Sequence, residues 1–77
     1  MAKNKNDVDV IRRFILEQTE PFTKYGLFYR AEKDGITDRG LIMKVLDELY
    51  QEGLVRDGTI GKQSDDGKDL YGFYIDA

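Results

Sequence analysis

Residues 35–75 read GITDRGLIMKVLDELYQEGLVRDGTIGKQSDDGKDLYGFYI, and their patterning decides the fold. Ile42, Val45, Leu46, Leu49 and Tyr50 fall at i, i+3, i+4, i+7 and i+8, one apolar face of a helix. Gly53 stops that helix, and Leu54-Val55-Arg56 leaves it extended. Leu70-Tyr71-Gly72-Phe73-Tyr74-Ile75 is the returning arm of a hairpin. There Tyr71, Phe73 and Ile75 share the inward face, and Leu70, Gly72 and Tyr74 the other. The outgoing arm is Val55–Ile60 with a kink expected at Asp57-Gly58, and residues 61–69 form the tip.

Working back towards the N-terminus, two shorter helices precede this unit. Asn6 or Asp7 caps the first, which runs to about Gln18 and buries Val8, Ile11, Phe14 and Ile15 with Arg12, Arg13 and Glu17 outward. Pro21 excludes the residue before it from helix and ends the element. Phe22 follows in a very short strand or an extended link. Thr23 caps a second helix over Lys24–Lys33, with Leu27, Phe28 and Ala31 towards the core and Gly26 an awkward guest in its first turn. Asp34-Gly35 turns the chain, Ile36 is a buried staple, and Thr37 caps the third helix through its hydroxyl. The fold class is α+β: helix, short strand, helix, helix, strand, tip, strand. Residues 1–6 are a loose polar tail and residues 7–77 one domain. A bare three-helix domain is the rival, and the aromatic alternation at the C-terminus argues against it.

Composition narrows the chemistry. A chain of 77 residues buries only about 60% of its unfolded surface, so stability should be modest. It has neither cysteine nor histidine, which removes thiolate nucleophiles, imidazole acid–base chemistry and disulfides. Asp47, Glu48 and Glu52 sit on one solvated helix with no pocket to pair them. Asp65-Asp66-Gly67-Lys68-Asp69 lacks the ligand spacing of a calcium loop, and no phosphate-binding glycine motif occurs. The expectation is a protein that is not an enzyme and uses no cofactor, metal or small-molecule substrate. The N-terminus has no apolar run, so a cytoplasmic location is expected, or a nuclear one in a eukaryote.

Charge pulls the other way from nucleic acid. The whole chain is −3; residues 1–39 hold eight basic and seven acidic residues, and residues 40–77 four basic and eight acidic. The half with the long helix and the hairpin is therefore acidic, where phosphate would be repelled.

Gly35-Ile36-Thr37, Val45-Leu46-Asp47-Glu48-Leu49, Glu52-Gly53-Leu54-Val55, Ile60-Gly61-Lys62 and Tyr71-Gly72-Phe73-Tyr74 together resemble the winged helix-turn-helix pattern. Within that superfamily the run is similar to the N-terminal heads of the meiotic homologous-pairing proteins, which bind duplex DNA, and to small bacterial and phage transcription regulators. The resemblance spans about residues 10–76 and rests mostly on core and turn positions. It implies a reading helix over Thr37–Gln51 and a wing over Gly61–Asp69.

On that reading Thr37, Arg39, Gly40, Met43 and Lys44 face DNA. Arg39 would take a guanine edge, Lys44 a phosphate, Met43 a thymine methyl, and Gly40 would permit close backbone approach. Lys62, Gln63 and Lys68 would contact it from the wing, and Lys24 would hold a phosphate where the second helix starts. Arg12, Arg13 and Arg30 extend a cationic strip beside Lys24. Solvated faces and an ordinary Asp-Gly turn explain the same residues without a ligand. Five tyrosines and four phenylalanines exceed what so small a core can hide, which points to a homodimer or a protein partner. Two functions stand: a DNA-binding transcription regulator, or a protein-interaction module, phage or mobile-element encoded, that grips a host protein through its acidic third helix and wing.

Overall fold

A computed structural model describes residues 6–62, 67 and 69–76. Three helices, α1 (Val8–Leu16), α2 (Lys24–Lys33) and α3 (Arg39–Gln51), precede a hairpin of β1 (Val55–Lys62) and β2 (Asp69–Ile75). This is an α+β arrangement consistent with a winged helix. The expected loose tail (residues 1–6) falls outside the described residues except for Asn6.

The helix ends are set by local chemistry. The Asp7 carboxylate accepts the Asp9 N–H at 2.8 Å and starts α1. The Thr23 hydroxyl accepts the Gly26 N–H at 3.0 Å and starts α2. Gly26 suits that cap, since a Cβ there would stand 3.1 Å from Thr23 Oγ1. The third cap differs from the expectation. Asp38, not Thr37, caps α3, accepting the Leu41 N–H at 3.0 Å. Thr37 lies one residue outside the helix, and a carboxylate is the better partner for the positive helix end.

α2 and α3 stop in the same way. Gly35 and Gly53 adopt φ of 85° and 81°, the left-handed turn that favours glycine. Ile36 N–H then reaches the Ala31 carbonyl (2.9 Å), and Leu54 N–H the Leu49 carbonyl (3.0 Å). Ile36 is buried as expected, but it closes the end of α2 rather than stapling the start of α3.

The core is one cluster built by Ile11, Ile15, Leu27, Phe28, Ala31, Ile36, Ile42, Val45, Leu46 and Leu49 from the helices, with Phe22 and Val55. Val8 was expected inside and is 41% exposed. It occupies the first turn of α1, and Val10 and Phe14 pack against the cluster from further along. α1 ends at Leu16, two residues before the expected Gln18.

Of the two alternatives for Phe22, the short strand is the one that forms, as an isolated bridge to Phe73. The Phe22 N–H donates to the Phe73 carbonyl at 2.8 Å, and the Phe73 N–H returns to the Phe22 carbonyl at 2.7 Å. Phe22 thus covers one edge of β2 while β1 pairs with the other. The two rings stack with centroids 6.0 Å apart. The ladder runs from Val55↔Ile75 through Asp57↔Phe73 and Thr59↔Tyr71 to Lys62↔Asp69. Its irregularity lies between Thr59 and Gly61, not at the expected Asp57-Gly58, with Ile60 the extra residue. Pairing also extends further than expected, so Gly61, Lys62 and Asp69 belong to strands and not to the tip. Phe73 and Ile75 face the core as expected. Tyr71 shares their face but is 70% exposed, because the hairpin reaches past the core at that level.

Candidate nucleic-acid interface

With roughly 3.6 residues per turn, burying Ile42, Val45, Leu46 and Leu49 turns Gly40, Lys44, Asp47 and Gln51 to the opposite side of α3. All four of these are exposed. The charges along the helix are polarised. Arg39 and Lys44 occupy its first half, while Asp47 and Glu48 follow in the second.

Most of the sequence-predicted site residues fall among the described ones. Arg39 opens α3 and is exposed, its guanidinium carbon 5.2 Å from the centroid of the Phe28 ring. Gly40 sits beside it with open space; an added Cβ would meet only Asp38 Oδ1, at 3.6 Å. Lys44 is exposed one turn on. Met43 is half-buried against the core, so it is chiefly a packing residue. Thr37 is exposed, and its backbone N–H is already engaged: Asn6 Oδ1 accepts from both Thr37 N and Asp38 N, each at 3.0 Å. Lys24, at the first residue of α2, is exposed and lines a cavity against the hairpin. Lys62 ends β1 opposite Asp69. Gln63 and Lys68 lie outside the described residues.

The structure therefore brings Arg39, Gly40 and Lys44 onto one end of α3 and places Lys24 separately, at the hairpin. The expected cationic strip is partly spoken for. Arg12 forks onto Glu52 at 2.6 and 2.7 Å, and Arg30 donates to Gln18 Oε1 at 3.0 Å. The hydrogen bond from Arg12, opposed by some desolvation, holds the Glu52 carboxyl below its ordinary range; the same bond raises the Arg12 guanidinium.

Sequence reasoning missed two features. One is the Arg12–Glu52 fork, which joins residues 40 positions apart. The other is Asp57, which together with Phe73 lines two cavities, one against the start of α2 and one against α3. Its alternation with Val55 and Thr59 puts it on the inward face, a signal present in the sequence. Among the described residues no helix is long and apolar enough to cross a membrane.

The three helices and the antiparallel hairpin define a small α+β protein whose arrangement is consistent with a winged helix. No family model matches the chain. Over 54 residues, 70% of its length, it is 33% identical to the Homologous-pairing protein 2 homolog of Mus musculus and 30% identical to that of Rattus norvegicus. The matched span is 25% of each relative, so the chain corresponds to about a quarter of the curated proteins it matches.

Proposed function

We propose that this protein binds double-stranded DNA without catalysis, through the N-terminal half of α3 and the β1–β2 hairpin, in transcription regulation or a related DNA transaction. The observation that carries this reading is the charge order along α3. Recognition helices meet base edges with their N-terminal residues, and here that end holds the exposed Arg39, Gly40 and Lys44. Asp47 and Glu48 stand further along, where the helix axis leaves the groove. The likeness to homologous-pairing proteins supports a role at DNA.

Arg39 has the fork geometry for a guanine edge and Lys44 the reach for a phosphate. The overall charge of −3 limits the number of phosphate contacts, so affinity should be low and strongly salt-dependent. The test is an amide chemical-shift titration of labelled protein with a mixed-sequence duplex at low and at physiological salt. Shifts centred on residues 37–47 and the hairpin tip, weakening with salt, are expected. No shifts at either salt would overturn the reading.

A further inference from the structure

Two cavities flank the inner face of the hairpin. One, of about 500 Å³, lies against the start of α2 and is lined by Lys24, Tyr25, Asp57, Leu70, Tyr71 and Phe73 among others. The second, of about 330 Å³, lies against α3 and is lined by Met43, Leu46, Asp47, Tyr50, Asp57 and Phe73. Asp57 and Phe73 belong to both, so the two cavities adjoin along the hairpin, and together they are called the groove below.

Its chemistry is specific. Tyr25 and Tyr71 are 76% and 70% exposed at one end, and Tyr50 is 43% exposed at the other. Asp47 and Asp57 both line the α3 cavity, and no cationic side chain does so among the described residues. Neither carboxylate forms an ion pair there; the pairs among those residues are Arg12–Glu52 and Arg56–Asp76. Aromatic walls beside two carboxylates match a guanidinium, which stacks on a ring face while its N–H groups fork onto an oxygen pair. The same carboxylates, against Lys24 alone, repel a phosphate backbone.

The backbone adds a second feature. Phe22 covers the outer edge of β2 by bonding both polar groups of Phe73. Strand alternation carries the N–H and C=O of Tyr71 to that same edge. The antiparallel continuation from Phe22 would place Lys24 opposite Tyr71, but Lys24 already belongs to α2. Among the described residues the edge beyond Phe22 is thus open, beside the larger cavity, and fits an extended chain added to the sheet.

We infer that this groove is the docking surface for an extended, arginine-bearing segment of a partner protein, its arginine placed on Phe73 between Asp47 and Asp57. The segment continues the position of Phe22 along β2 and covers Tyr25 and Tyr71. The groove uses none of Arg39, Gly40 and Lys44, and it meets the DNA reading at Lys24, Met43, Asp47 and the hairpin.

The test is selection of random dodecapeptides displayed on phage against the folded protein, followed by shift mapping with the winning peptide. Arginine enriched at one position, with shifts at Tyr25, Asp47, Tyr50, Asp57 and Tyr71, is expected. Replacing that arginine by glutamate, or the protein's D47N/D57N double substitution, should weaken binding at least about tenfold. Both carboxylates are exposed, and a circular dichroism spectrum checks that the variant keeps its fold. Selection of peptides without arginine, failure to select any, or binding unchanged in D47N/D57N would each overturn the inference. So would duplex DNA shifting this same set of residues.

Discussion

Gly72 lies so close to Phe22 that a Cβ on it would stand 2.6 Å from the Phe22 carbonyl oxygen and 2.5 Å from Ile60 Cδ1. The carbonyl is backbone, fixed by its bond from the Phe73 N–H, so it cannot step aside as a side-chain tip would. Gly72→Ala should therefore push the Phe22 segment off β2 and cost about 2 kcal/mol, within the range for overpacked interiors. Urea denaturation of the two proteins checks this. Equal midpoints would mean that the Phe22 bridge contributes little to holding the hairpin on the helices.

The Arg12–Glu52 fork ties the middle of α1 to the C-terminus of α3 and makes a prediction about acid. Its hydrogen bonds depress the Glu52 carboxyl below the ordinary 4.5. A carboxyl lowered on folding stabilises above its unfolded pKa, and that contribution disappears as pH falls through the folded value. Thermal midpoints of the parent and Glu52→Gln should thus differ at pH 7 and converge below about pH 4.5 as the parent loses its pair. Both side chains are partly exposed (33% and 44%), so the neutral-pH difference should be small and shrink in high salt. A difference that persists unchanged to low pH would show that the substitution acts through packing instead.

Asn6 fixes the approach to α3. Its Oδ1 takes two adjacent backbone N–H groups, from Thr37 and Asp38. Asn6→Ala should lower stability by about 1 kcal/mol, as loss of a capping acceptor does. Amide exchange should quicken at Thr37 and Asp38 while the centre of α3 stays protected. Unaltered exchange at those two amides would show that the turn holds itself.

How much of this was legible in the sequence depends on the range of each interaction. The helices were readable because their signals are local: Thr23 and Asp7 as caps, Gly35 and Gly53 as stops, and the spacing of Ile42, Val45, Leu46 and Leu49. Thr37 and Asp38 both have capping side chains, and local pattern does not choose between such neighbours; nor does it show that Asn6, more than thirty residues away, takes up both of their backbone N–H groups. Val8 failed for a related reason, since periodicity assigns a face but not where along the helix packing ends. The inward face of β2 was read correctly, yet Tyr71 is exposed because alternation does not say how far the hairpin outruns the core. The groove was hidden because it needs α2, α3 and both strands at once.

Arg39 and Lys44 test the DNA reading through different physics. If Arg39 meets a base edge, Arg39→Ala should cost about 1–3 kcal/mol on a preferred sequence and less on others, flattening discrimination. Arg39 also rests over Phe28, so a small stability loss of about 0.5–1 kcal/mol should accompany it. Lys44 makes no hydrogen bond or ion pair among the described residues, so Lys44→Ala should leave the fold unchanged. Its effect on binding should be uniform across sequences, with the slope of log K against log salt shallower by about one. Fluorescence anisotropy at several salt concentrations separates the two signatures. Wild-type affinity in both variants would mean that the first half of α3 does not face the duplex, and the hairpin would have to carry any binding alone.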